Sequence, residues 1–281
     1  MAHGEALLTY DAAHTGWYYF DRYTGAMAHG VTLVPATKTS PAKWVYYDIV
    51  TGKMAHGEAC LTYDEEHTGW YYFDPVTGAM DHEWAWLPAK GKWVYYDKFT
   101  GKMRYGSLMI DGKPYFLDPV TGEKLSRAAL VQRVLAIARS RDGIESPDDY
   151  INALSCAGGS VDPYGPCMTY IWWCFQQAGM RYQLLDGWAT GWPHDAANWF
   201  AQRGRLKRGD PEPGDIWLVN QPGWGPEGAS ATHAGIVDHV ANGRVYVWQH
   251  VDGKVKLVAE NPSFIRNGYV AGYGHPDLNG D

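Results

Sequence analysis

Near-exact internal repetition constrains this chain more than any other feature. Residues 1–26, MAHGEALLTYDAAHTGWYYFDRYTGA, return at 54–79, differing only at Leu7/Cys60, Ala12/Glu65, Ala13/Glu66, Arg22/Pro75 and Tyr23/Val76. A looser copy fills 27–53, and two shorter ones start at Met80 and Met103 and end near Leu125. Each unit carries an aromatic run: Trp17-Tyr18-Tyr19-Phe20, Trp44-Val45-Tyr46-Tyr47, Trp70-Tyr71-Tyr72-Phe73, Trp93-Val94-Tyr95-Tyr96 and Tyr115-Phe116. An Asp, three residues and a Gly follow it. The pattern reads as an aromatic strand, a tight turn whose Gly takes positive φ, and a second strand. One such hairpin cannot bury its own aromatic face, but stacked copies can. The expected product over 1–122 is an all-β hairpin-repeat solenoid of about five units.

Composition sharpens this. The chain has 281 residues, of which only 20% are charged, with 14 Trp, 20 Tyr and 33 Gly, a balance of turns and flat aromatic faces. A net charge of −7 without Lys/Arg runs argues against a nucleic-acid or anionic-membrane partner. No apolar run reaches the roughly 18 residues of a membrane span. Residues 1–20 lack the basic start and apolar core of a secretory signal, so synthesis in the cytoplasm and export by another route are expected. Met1-Ala2-His3-Gly4 matches the repeat junction at Met54-Ala55-His56-Gly57, which suggests an upstream segment. The aromatic positions serve the solenoid core or a ligand, because sugars and quaternary amines dock on aromatic faces. Trp17, Tyr19, Trp44, Tyr46, Trp70, Tyr72, Trp84, Trp93 and Tyr95 are the candidate contacts.

The units resemble the choline-binding and glucan-binding repeats of Gram-positive surface proteins and phage lysins. That resemblance implies binding to wall glycopolymers. Family repeats carry a Trp four residues after each Met; here the position holds Glu5, Val31, Glu58 and Ser107, and only Trp84 fits. Wall binding is therefore expected without choline specificity.

The texture changes near residue 122. Ser126 is placed to cap a helical apolar pattern through Ala138. Further helices are expected at about 167–179 and 195–203. Strands are expected at about 215–220, 233–240, 244–251, 255–260 and 268–273. Helices followed by antiparallel strands describe an α+β domain over 126–281.

The four cysteines, Cys60, Cys156, Cys167 and Cys174, show no zinc spacing and read as thiols. Cys60, standing where the first repeat has Leu7, is expected to be buried. Cys167 follows Tyr164-Gly165-Pro166 at the head of an apolar helix, where the dipole favours thiolate. Cys174 falls mid-helix. His233 opens the apolar strand Ala234-Gly235-Ile236-Val237 between small neighbours, a setting for a general base facing that helix. The Gly/Pro-rich loop 221–231 before it holds Trp224, either against substrate or against the domain's own surface. Asp148-Asp149 lacks Asp-x-Asp spacing and reads as a solvated turn, so no metal is expected.

Residues 128–275 resemble the CHAP and NlpC-type peptidoglycan hydrolases, which have a papain-like core. PYGPCMTYIWWCFQQAG (163–179), PEPGDIWLV (211–219) and THAGIVDHV (232–240) match the family's PWCAxFVSWCxxxAG, PxxGDI and GHxGIV. The resemblance implies Cys167 as nucleophile and His233 as base. It places the third residue, usually a Glu, at Gln249, with His250, Glu260 and Asn261 as alternatives. Tyr164 is a further candidate for substrate contact. With the repeats, the architecture looks like that of a bacteriophage endolysin acting at the bacterial cell wall without a cofactor. A host autolysin and an inactive wall-binding protein are the competing readings.

Overall fold

A computed structural model describes residues 3–279 and divides them into two compact units. The first runs up to Arg104 and includes Val120–Glu123. The second comprises Tyr105–Pro119 and the chain from Lys124 onward. Hairpin repeats are thus followed by a mixed helix-and-sheet domain.

Four hairpins build the first unit: β1 (Gly4–Leu8) with β2 (Gly16–Phe20), β3 (Gly30–Val34) with β4 (Lys43–Tyr47), β5 (Gly57–Leu61) with β6 (Gly69–Phe73), and β7 (Glu83–Leu87) with β8 (Lys92–Tyr96). The aromatic run is the second strand of each hairpin, not the first as its position before the Asp…Gly turn suggested. That turn instead links hairpins. Asp21 Oδ1 accepts the N–H groups of Tyr23 and Thr24 and the Thr24 hydroxyl, while Gly25, at φ 70°, donates to the Asp21 carbonyl. The same bonds recur at Asp48, Asp74 and Asp97. Each turn returns the chain for a single bridge, such as Phe20 to Met27, before the next hairpin begins.

Stacking is fixed by backbone bonds that skip a hairpin: Met54 N–H to the Trp17 carbonyl, Met80 to Trp44, and Met103 to Trp70, at 2.7–2.8 Å. Trp17 and Tyr19, like Trp44 and Tyr46, share one strand face but differ in exposure. Tyr19 and Tyr46 are buried, Tyr19 stacked on Tyr47 and Tyr46 on Tyr63 and Phe73. Trp17, Trp44, Trp70 and Trp93 remain 39–48% exposed. Cys60 belongs to this outward set and is exposed, correcting the expectation of burial: in β5 its side chain shares the outer face with its cross-strand partner Trp70.

The fifth hairpin, β9 (Gly106–Ile110) with β10 (Lys113–Leu117), continues the repeat in sequence but packs within the second unit. Phe116 is 1% exposed and joins that unit's core, lying under the Arg133 guanidinium. Its N–H donates to Asn279 Oδ1, and Ser107 donates to Gln183.

The second unit has helices α1 (Arg127–Ser140), α2 (Asp148–Cys156), α3 (Cys167–Gln177) and α4 (Pro193–Gln202). Its strands are β11 (Leu206–Lys207), β12 (Ile216–Val219), β13 (His233–Ala241), β14 (Arg244–Val251), β15 (Lys254–Ala259) and β16 (Val270–Gly274), with α5 (Pro262–Arg266) before the last. They form one antiparallel sheet in the order β11-β16-β12-β13-β14-β15. α2, unpredicted from sequence, begins at Asp148-Asp149, so these acids are its first turn rather than an irregular loop. One sheet face, carrying Ile216, Leu218, Ala234, Ile236 and Trp248, buries against the helices. The other holds a smaller cluster of Trp217, Val219, Val237, Val247 and Tyr273, with Phe264 packed on it.

Candidate active site

Cys167 is the first residue of α3. Pro166 before it has no N–H and makes no side-chain cap bond. Cys167 is 3% exposed, and the backbone N–H groups of Ala234 and Met168 lie near its sulfur and favour the thiolate. Ala234 follows His233, so this contact ties the start of β13 to the head of α3. Burial pushes the Cys167 thiol up to about 12, with the N–H groups pulling the other way. Cys174 lies on the same helix fully buried, its thiol raised further by desolvation.

His233 sits on the sheet face away from the helices. Its Nε2 lies 2.6 Å from Gln249 Oε1 on β14. An amide oxygen only accepts, so Nε2 carries the proton and Nδ1 is left with a free lone pair. Burial lowers the His233 pKa to about 4, partly opposed by Gln249. Gly235 makes the contact with Gln249 attainable. A Cβ there would stand 2.3 Å from Val247 Cγ1 and 3.2 Å from Gln249 Cβ.

His250, the next residue along β14, points to the helix side. Its Nε2 donates to the Glu145 carbonyl and its ring meets Tyr150 edge-on. Glu260 accepts from Trp217 Nε1 at 2.6 Å and from the Tyr273 hydroxyl. Asn261 caps α5. Of the four candidate partners, Gln249 is the one hydrogen-bonded to His233.

Two aromatic rings flank the imidazole. Trp217 and Trp224 meet it edge-to-face at 5.9 and 5.3 Å, and Phe264 touches both. Trp224 is half-buried, packs against its own domain and also lines the cleft. The loop carrying it is anchored by the Thr232 hydroxyl, which accepts the Gln221 N–H. Tyr164 is 59% exposed at the cleft edge, its ring against Trp192.

Cys167, His233, Tyr164 and Trp224 line one cleft of about 490 Å³. Asp162, which sequence reading passed over, lines it too and is 5% exposed. Its place five residues before Cys167 was the available signal. Among the described residues, no group of three or more His, Cys, Asp or Glu side chains is arranged to hold a metal ion.

The residues of this cleft fall mostly within a stretch with a recognised counterpart. Residues 157–250 match the CHAP domain. Among curated proteins none matches the chain. Among solved structures, choline binding protein F of Streptococcus pneumoniae is 27% identical over 44% of this chain and 36% of its own, with a TM-score of 0.36. The multimodular pneumococcal cell wall endolysin of phage Cp-1, solved with choline, is 25% identical over 40% of this chain and 29% of its own, with a TM-score of 0.23. This chain therefore spans about a third of the length of those proteins.

Proposed function

We propose that the chain is a peptidoglycan hydrolase that cleaves an amide or peptide bond of the bacterial wall by Cys167–His233 catalysis, held to the wall by its aromatic repeats. One observation carries the reading. A cysteine at a helix head and a histidine with its far nitrogen engaged by an amide line the same cleft, within a CHAP-matching segment.

Both groups rest neutral at pH 7, because burial disfavours each charged form. Nucleophile formation is then coupled to attack. The thiol proton passes to His233 Nδ1 as sulfur bonds to the carbonyl carbon. Gln249 holds the ring in the required tautomer. The uncapped N–H groups at the start of α3 stabilise the developing oxyanion. His233 then gives the proton to the leaving amine, and the bond from carbonyl carbon to nitrogen breaks. In the second step it takes a proton from water, whose oxygen displaces the thiolate.

For the repeats, Trp17, Trp44, Trp70 and Trp93 form the exposed row that contacts wall glycopolymers, with Tyr72, Trp84 and Tyr95 beside it. Tyr19 and Tyr46 act through packing. Lys90 pairs with Glu58 at 2.6 Å and lies 5.4 Å over the Trp70 ring, where an external cation would otherwise sit. This favours sugar over choline at that junction. Together with the hydrolase domain, the repeats suit lysis of walls in the manner of an endolysin.

The test is covalent trapping. Brief reaction of the protein with wall fragments, quenched in acid, should add an acyl mass to the peptide containing Cys167. Full hydrolysis by Cys167→Ala would remove the proposal.

A further inference from the structure

The cleft beside Cys167 has a charge pattern that the hydrolysis scheme does not use. No Lys or Arg lines it among the described residues, whereas Asp162 and Asp252 do. Asp252 is exposed and already paired with Lys256 at 2.7 Å. Asp162 differs. It is 5% exposed, its Oδ1 accepts the Tyr164 N–H at 2.8 Å, and its second oxygen has no partner among the described residues. That oxygen is not enclosed by protein but open at the cleft wall. Such an oxygen on a cleft wall fits an N–H donor brought by the ligand, and a charged donor best.

We infer that Asp162 is the subsite for a free ammonium group of the wall peptide, so that the enzyme selects peptides with an unblocked amine beside the scissile bond. This rests on the hydrolase reading above and names the substrate class for that site. Wall peptides carry both carboxylates and amines. The cleft repels the first and has one unmet acceptor for the second. Neutralising Asp162 has a further effect. Its charge opposes thiolate formation at Cys167, after the larger effect of burial. A substrate ammonium on Asp162 lifts that opposition, which ties recognition to activation of the nucleophile.

The experiment compares soluble disaccharide-peptide fragments before and after N-acetylation of their free amines, using the full chain. Acetylation should lower the wild-type kcat/KM about tenfold or more, as for loss of one charge-assisted bond. Asp162→Asn retains the oxygen that caps Tyr164. It should cut native and acetylated fragments at similar, reduced rates. Its Cys167 should also be alkylated by iodoacetamide at lower pH than in the wild type, a change a packing defect would not produce. Equal wild-type rates on both substrates, or an unchanged preference in Asp162→Asn, would overturn the inference. If Asp162→Asn fails to fold by thermal melting, the wild-type comparison alone decides. Continued cleavage by Cys167→Ala would instead defeat the underlying hydrolase reading.

Discussion

Replacing Gln249 tests how the imidazole is controlled. Its Oε1 accepts the His233 Nε2–H at 2.6 Å, with the imidazole flanked by Trp217 and Trp224. Gln249→Ala leaves that N–H without an acceptor, which costs about 1–3 kcal/mol and frees the ring to turn. The reaction should slow by about ten- to a hundredfold, the rate equivalent of that energy. Gln249→Glu does the opposite to the charge. A carboxylate at hydrogen-bond distance raises a histidine pKa by about 1–3 units. Starting from about 4, the acid limb of kcat/KM should move up to about 5–7. The assay is a pH profile of amine release from purified walls for the three proteins, with thiol alkylation as a parallel readout. An unslowed Gln249→Ala together with an unmoved acid limb in Gln249→Glu would refute this role.

Other outcomes follow from the same geometry. Gly235→Ala should lower activity more than it lowers the melting temperature, because the added methyl meets Val247 and pushes against Gln249. Trp224→Ala should reduce both activity and thermal stability, since the ring serves the imidazole and Phe264 together; an unchanged melting temperature would mean the packing contributes nothing. The His233 pKa is depressed on folding, so stability should be level above the unfolded value near 6.5. It should fall by about 3 kcal/mol as pH drops towards 4, and urea melts of a His233→Gln variant should lack that slope. A fragment starting at residue 105 should be more stable than one starting at 126 by at least about 3 kcal/mol, the typical worth of a buried Phe such as Phe116.

Repetition made the hairpin array legible because each unit repeats the same local physics. It did not reveal which strand the aromatic run forms, since the Asp…Gly turn closes a single bridge rather than a hairpin. Nor could it show that the fifth hairpin belongs to the second unit, because Phe116 finds its core against residues far along the chain. In the second unit, apolar patterning located α1, α3, α4 and the long strands within a few residues. α2 was missed because its first turn is acidic and only Tyr150 and Leu154 are buried. The two-residue β11 is too short to carry a period. At the site, alternation along β14 separated Gln249 from His250 without coordinates. Asp162 was passed over because its nearness to Cys167 in sequence does not by itself place its carboxylate on the cleft wall.

The central claim concerns a bond and the thiol that breaks it. It is tested most directly by mass spectrometry of fragments released from purified peptidoglycan by the intact protein and by its Cys167→Ala variant. The account predicts that the wild type yields paired new amine and carboxyl ends at one kind of amide bond, while the variant, still folded and still bound to walls, yields none. The same fragments from both proteins, or wild-type products cut at glycosidic rather than amide bonds, would contradict it.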